Sequence, residues 1–243
     1  MKIVAISDVH VKIPHDDADH LLCHFLTNPI VTSADYIVLL GDIFDLMCGP
    51  HQEYLQQFGH IFDLIDQLLK QEKKVFFFEG NHDVHLEKLF EFRWPNNELK
   101  VSQKPIVENI AGKTYYFSHG DEHEVENLSY QRYKSFILSP PLRFVANYIM
   151  PYHLLNYLGQ EASKRSRKRG SKSYREDLIK QNFRDGVIKI TAGKFNFILG
   201  GHSHVKDQFT LNENSTYINN GYALKSKTFV LIENHHISFP DLT

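Results

Sequence analysis

The sequence predicts an α/β fold in which two sheets pack face to face with helices outside, and three observations predict it. Residues 1–125 read as strands alternating with helices, the plan of parallel strands joined by crossovers. After residue 185 the pattern changes to short strand-like runs separated by Asn and Gly turns, which predicts a second sheet. Five apolar runs of strand composition each end in residues able to bind metal ions: Asp8-Val9-His10, Gly41-Asp42, Gly80-Asn81-His82-Asp83, Ser118-His119-Gly120-Asp121 and Gly200-Gly201-His202-Ser203-His204. Open α/β folds keep their sites at the carboxyl ends of strands, so these five runs are expected to converge.

Taken in order, residues 2–6 form the first strand, and 17–41 have the plan of a helix followed by a second strand at 36–40. Leu55, Phe58, Ile61, Phe62, Ile65, Leu68 and Leu69 recur at three- and four-residue steps, predicting one amphipathic helix over 53–71. The strand 74–78 follows and runs into Gly80, and another is expected at 114–117. Later strands are expected at 195–199, 215–218, 228–233 and 236–239. One domain, 1–243, is expected, interrupted by an insertion at about 126–190. Within it, 136–159 is rich in Leu, Ile, Phe and Tyr and broken by Pro140, Pro141 and Pro151. Seven basic residues follow over 164–175: Lys164, Arg165, Arg167, Lys168, Arg169, Lys172 and Arg175.

Composition excludes several function classes. The net charge of −2 gives no global field for nucleic acid, so no nucleic-acid partner is expected. Cys23 and Cys48 have neither metal-type spacing nor a disulfide framework, and the sequence opens on a strand without the pattern of a signal peptide. A reducing, cytoplasmic compartment is expected. With no run of about 18 uncharged apolar residues, no spanning helix is expected. Most of the 15 histidines sit in mixed surroundings where a solvated or hydrogen-bonded ring is the ordinary outcome. Those at the strand ends stand apart.

Asp8 and His10, two apart at a strand end, are expected to share a side by strand alternation, and His202 and His204 repeat that spacing. Asp42 has two oxygens with which to bridge two cations, Asn81 offers a neutral amide oxygen and His119 an imidazole. Seven oxygen and nitrogen donors without a thiolate suit manganese, iron, zinc, cobalt or nickel better than calcium or a structural zinc. Any one run alone is commonplace as a turn or a surface histidine. Their joint occurrence at strand ends points to a two-metal centre for ions of this group.

The order Asp-x-His, Gly-Asp, Gly-Asn-His-Asp, His-Gly-Asp, Gly-His-x-His, spanning residues 8–204, resembles the calcineurin-like metallophosphoesterase superfamily. The resemblance implies a four-layer αββα sandwich of two mixed sheets flanked by helices. It implies one metal held by Asp8, His10, Asp42 and His204 and another by Asp42, Asn81, His119 and His202. Two such cations, about 3.5–4 Å apart, activate water and neutralise the phosphoryl oxygens it attacks. His82, beside Asn81, is expected to touch the phosphate or protonate the leaving oxygen, with Asp83 orienting it.

Within the superfamily the chain resembles the UDP-2,3-diacylglucosamine pyrophosphohydrolases of lipid A synthesis. Gly41-Asp42-Ile43-Phe44-Asp45-Leu46, His119-Gly120-Asp121 followed by Tyr130-Gln131-Arg132-Tyr133, and the basic insertion ahead of Gly201-His202-Ser203-His204 carry that resemblance. It implies a helical cap over acyl chains and sugar phosphate, cleavage of the nucleotide–lipid to UMP and lipid X, and peripheral binding to the cytoplasmic face of the inner membrane. Asn127, Tyr130, Arg132, Arg165, Lys168 and Lys172 are the expected substrate contacts. The chain departs from the pattern with His82 where many of these enzymes carry Arg, and with Asn127 where Asp is frequent. A related phosphodiesterase or phosphatase acting on another nucleotide, lipid or phosphoprotein is the alternative, and a scaffold without activity would be marked by lost ligands, of which there are none.

Overall fold

The computed structural model describes residues 1–95, 98–155, 157 and 175–243. In chain order the strands are β1 (Lys2–Ile6), β2 (Tyr36–Leu39), β3 (Met47–Cys48), β4 (Lys74–Phe78), β5 (Asp83–Val84), β6 (Lys100–Ser102), β7 (Ile106–Ile110), β8 (Lys113–Phe117), β9 (Phe197–Leu199), β10 (Asp207–Asn212), β11 (Ser215–Asn219), β12 (Val230–Glu233) and β13 (His236–Ser238). The helices are α1 (Asp17–Thr27), α2 (Pro29–Thr32), α3 (Glu53–Gln57), α4 (Gly59–Lys70), α5 (Glu87–Arg93), α6 (Leu128–Ile137), α7 (Pro140–Tyr148), α8 (Glu176–Thr191) and α9 (Ala223–Ser226).

The first sheet runs β13-β12-β1-β2-β4-β6, with β1, β2, β4 and β6 parallel and β12 and β13 antiparallel at one edge. The second runs β10-β11-β9-β8-β7, parallel at its centre and antiparallel at both edges. Both are mixed sheets. Strand alternation divides the first sheet's side chains between two cores. Val4, Ile6, Ile37, Leu39, Val75 and Phe77 face outward onto Leu22 and Phe25 of α1 and Ile61, Phe62 and Ile65 of α4. Their neighbours Ile3, Ala5, Val38, Leu40, Phe76 and Phe78 face inward onto Tyr115, Phe117, Phe197, Leu199 and Ile218 of the second sheet. That sheet's outer face, with Tyr116, Ile198 and Tyr217, is covered by Val187 of α8. The layers are therefore helix, sheet, sheet, helix. Each such aliphatic or aromatic side chain taken out of water contributes about 1.5–3 kcal/mol.

Four sequence expectations change. The C-terminal strands do not form a sheet of their own: β12 and β13 extend the first sheet beside β1, while β7 and β8, from the N-terminal half, enter the second. Antiparallel pairing at a sheet edge is decided by which edge is open, and local patterning does not report that. The single helix expected over 53–71 is two, because Phe58 leaves helical geometry (φ −111°, ψ 25°) with its ring packed 4.8 Å from Phe44. Strands β6, β7 and β10 went unread; β7 and β10 carry exposed and half-buried residues in alternation. Within the expected insertion, α8 buries Phe183 and Val187 and forms the fourth layer, so the helices outside the sandwich are α6 and α7. Arg165, Lys168 and Lys172, with the rest of the 158–174 run, lie outside the described residues. Among the described residues no helix is long and apolar enough to cross a membrane.

Candidate metal centre

Each polar run lies beyond its strand, in the turn that follows. Strand β1 ends at Ile6, β2 at Leu39 and β9 at Leu199, so Asp8, His10, Asp42, His202 and His204 are not in strands. All five have left-handed backbones, with φ of 52°, 57°, 51°, 64° and 57°. The expectation that strand alternation aligns Asp8 with His10 is therefore corrected, and His202 and His204, open to either a strand or a loop, lie in a loop. Positive φ at each folds the chain back, and the turn aims the side chains. Left-handed non-glycine residues cost of order 1–3 kcal/mol each, and the bonds around them hold them there.

Those bonds are on both main chain and side chain. Asp8 and His10 donate their amides to Gly41 and Asp42 carbonyls at 3.1 and 3.0 Å. Asp8 Oδ1 and Oδ2 accept from the His202 amide at 3.1 and 3.0 Å, and Ser7 Oγ donates to Oδ2 at 2.5 Å. Asp42 Oδ1 accepts from the amides of Asn81 and His82 at 2.8 and 2.9 Å. Two glycines allow this closeness: a Cβ on Gly80 would lie 2.1 Å from Asp42 Oδ1, and one on Gly201 would lie 2.6 Å from Asp8 Oδ2.

The result is two groups of donors sharing Asp42. Asp8, His10, Asp42 and His204 have one atom each within 4.8 Å of the others, and so do Asp42, His119 and His202. In the first, His204 Nε2 stands 3.2 Å from His10 Nε2 and 3.3 Å from Asp8 Oδ1. In the second, Asn81 Oδ1 meets His119 Nε2 at 3.2 Å and His202 Nδ1 at 3.0 Å. Asp42 Oδ2 lies 3.8 Å from His10 Nε2 and 3.7 Å from His119 Nε2. Since Oδ1 is taken by two amides, the bridging capacity expected of two oxygens resides in the single atom Oδ2.

The donor set fits cations on its own chemistry. His119 Nδ1 donates to the Leu40 carbonyl at 2.9 Å and His202 Nε2 to Glu124 Oε2 at 3.0 Å. Each neutral ring then turns a lone pair toward Asn81 Oδ1, itself an acceptor. Acceptors facing acceptors at hydrogen-bond distance need positive charge between them, and metal-binding histidines have their other nitrogen held in this way. Without a metal, a proton takes the place. Burial would push His119 down, but Asp42, Asp121 and Asp8 raise it to about 9. His10, where burial outweighs Asp42, is lowered to about 4. Burial likewise works against Asp42, yet the surrounding imidazoles of His119, His82, His10 and His202 hold it below the carboxylate range.

The remaining expected residues fall elsewhere. Asp83 does not orient His82. Its buried carboxylate accepts from the amides of Asp42 (3.0 Å), Ile43 (2.7 Å), Phe44 (3.3 Å) and Gly80 (2.7 Å), tying together two of the ligand turns. Burial and the nearby Asp42 push Asp83 up. All four partners are donors, however, so the ionised form is the one this geometry accepts. His82 is held instead by Asp45, whose carbonyl accepts from Nδ1 at 2.8 Å and whose Oδ1 lies 3.6 Å from it. Its ring sits 4.9 Å from that of His10. Asn127 caps α6, accepting from the Tyr130 amide at 3.0 Å, and its amide group donates to Glu124. The Tyr130 ring lies tilted at 4.9 Å from that of His202, and its hydroxyl donates to Asp121 Oδ2 at 2.9 Å. Arg132 is exposed on α6.

Sequence reasoning missed Asp45, Glu124 and the Asn219-Asn220 pair. Asp45 lies in the same run as Asp42 and was within reach. Asn220 Oδ1 accepts from the Ser7 amide at 3.0 Å, and Asn219 Nδ2 donates to the Gly201 carbonyl at 2.8 Å, so this strand end braces both outer ligand turns. A polar pair ending β11 was the available signal. Glu124, in an acidic stretch, had none.

Residues 1–206 match the model of the calcineurin-like phosphoesterases. The chain belongs to that family. It is similar to the UDP-2,3-diacylglucosamine hydrolases of Psychromonas ingrahamii (22% identical over 205 residues, 84% of this chain and 81% of the relative) and Aliivibrio fischeri (23% over 215 residues, 88% and 86%). A third, from Shewanella frigidimarina, is 20% identical over 223 residues, 91% of this chain and 89% of the relative. This phosphoesterase is a metal-dependent hydrolase whose fold and donor clusters imply divalent ions.

Proposed function

We propose that this phosphoesterase hydrolyses the pyrophosphate of UDP-2,3-diacylglucosamine, releasing UMP and the diacylglucosamine 1-phosphate, with two Mn2+ ions. The observation that carries the reading is the apolar surface of the helices beside the centre. Leu128, Phe136, Phe144, Tyr148, Ile149 and Tyr157 are each between 56% and 66% exposed. A soluble protein rarely leaves such a concentration of large apolar side chains in water unless something covers it, and acyl chains would. Beside the centre, a small cleft is lined by Gly80, Asn81 and Asp121 and by Tyr130, Tyr133, Lys134, Ile137 and Leu138 of the helical segment. The names of the relatives support the same substrate.

Divalent ions on the seven donors would supply an activated water and neutralise the phosphoryl oxygens. Asp42 Oδ2 would be common to both ions, and Glu124 and the Leu40 carbonyl would keep His202 and His119 in the ligating tautomers. The Asp45 carbonyl holds a His82 proton at Nδ1, so Nε2, when also protonated, can donate to a phosphate oxygen or give its proton to the leaving group. The exposed apolar side chains would hold acyl chains and bring the protein to a membrane surface from the cytoplasmic side.

The test is product analysis with the acylated nucleotide sugar, detergent and Mn2+. UMP and lipid phosphate in equal amounts, lost in Asp42→Ala and His119→Ala, are expected. Absence of UMP, with rapid detergent-independent turnover of bis(p-nitrophenyl) phosphate, would refute the substrate and favour a soluble phosphodiester.

A further inference from the structure

Away from the centre, a third cluster of ligating side chains joins the loop after His10 to two helices. Asp19, on α1, is almost wholly buried, and its two carboxylate oxygens lie 2.8 and 2.9 Å from His60 Nε2 on α4. His15 Nδ1 is 3.8 Å from Asp19 Oδ2, and the rings of His15 and His60 stack at 5.2 Å. One atom from each of the three lies within 4.8 Å of the other two. None of the three belongs to the seven donors of the main centre.

The loop is shaped to put His15 there. His15 has a left-handed backbone (φ 66°), and its amide is bound by Asp19 Oδ2. Its side chain is 75% exposed, so nothing in the hydrophobic core demands that it face Asp19. Cys23, one turn on from Asp19, gives its thiol proton to Oδ1 at 3.4 Å. Burial and Asp19 push that thiol up to about 12, so it serves as a donor to the carboxylate rather than as a thiolate ligand.

We propose that His15, Asp19 and His60 form a separate site for one borderline transition-metal ion of the Zn2+ class, clamping the loop after His10 to α1 and α4. Two ligands of a tetrahedral zinc at about 2.0–2.1 Å stand about 3.3–3.4 Å apart. The two separations from Asp19, 2.8 Å to His60 and 3.8 Å to His15, bracket that value, and the ligand atoms of His15 and His60 lie within 4.8 Å of each other, so side-chain movements close the set. Two imidazoles and one carboxylate select Zn2+, Ni2+ or Cu2+ over Mg2+ or Ca2+, and the exposed side of His15 leaves room for water as a fourth ligand.

The full chain, stripped and then equilibrated with Zn2+ and freed of excess, is counted for bound zinc. Three ions per chain are expected, falling by one in His15→Ala and in His60→Ala. The main centre is untouched by these changes, so Mn2+-supported hydrolysis of bis(p-nitrophenyl) phosphate should stay within about twofold. Because His15 is exposed, His15→Ala tests the ligand without threatening the fold. An equal zinc count in wild type and in both variants would overturn the proposal, whatever the occupancy of the main centre.

Discussion

Replacing Asp83 with Asn removes one charge and converts one of two acceptor oxygens into a donor, at a carboxylate with no solvent exposure. Four backbone amides point at it: Asp42 and Gly80 share Oδ1, and Ile43 and Phe44 share Oδ2. Whichever way the new amide turns, two N–H groups lose their acceptor and face another donor. Each buried amide left unsatisfied costs about 1–3 kcal/mol, so the variant should lose about 2–6 kcal/mol. That is a large share of the roughly 5–15 kcal/mol holding a domain together. The damage is placed at the turns carrying Asp42 and Asn81, so metal is expected to be lost before the fold. Urea unfolding with and without Mn2+, beside metal analysis, separates the two losses. An Asp83→Asn protein within about 1 kcal/mol of wild type and holding its full metal would refute the reading of Asp83 as the tie between these turns.

The metal-free centre should take up ions more tightly as pH rises. His119 sits at about 9 and must shed its proton, so affinity in chelator competition should grow about tenfold per pH unit from 7 to 9. His119 and His10 shape stability without metal. His119, raised from 6.5 to about 9, contributes stability that is complete below 6.5 and lost toward 9. His10, lowered from 6.5 to about 4, contributes stability that is complete above 6.5 and lost toward 4. Stripped protein should therefore unfold at the highest urea concentration near pH 6.5, a maximum that Mn2+ moves upward. Gly80→Ala forces a Cβ to within 2.1 Å of Asp42 Oδ1 and should lower turnover about a hundredfold or more, read with a soluble diester. Glu124→Gln, which weakens the hold on His202 Nε2, should lower metal affinity about 10–100-fold by competition titration while leaving the fold intact.

Much of the architecture was legible because its signals are local. Ile3, Val4, Ala5 and Ile6 form an unbroken apolar run in one five-residue strand, and such a run announces a strand buried on both faces. The recurrence of Ile61, Phe62, Ile65 and Leu68 announces α4 in the same way. The assignment of β12 to the first sheet was not legible, since Val230–Glu233 would suit either. Candidate ligands were legible because carboxylates and imidazoles rarely follow five separate strands unless they meet around a common centre. The roles of their neighbours were not. Asp83 looks like a partner for the adjacent His82, yet its carboxylate turns to four amides, and Asp45 takes the histidine.

By itself the sequence determined the alternating α/β plan and offered seven candidate oxygen and nitrogen donors just after strands, since composition and period follow from residues close together in the chain. Only the tertiary structure decided that Asp42 turns Oδ2 between His10 and His119, that Glu124 and Leu40 hold the outer nitrogens of His202 and His119, and that His15 and His60 meet over Asp19. The physical reason is distance. Hydrogen bonds and ion sites depend on ångström separations between residues tens to hundreds of positions apart, and those are set by how the two sheets pack.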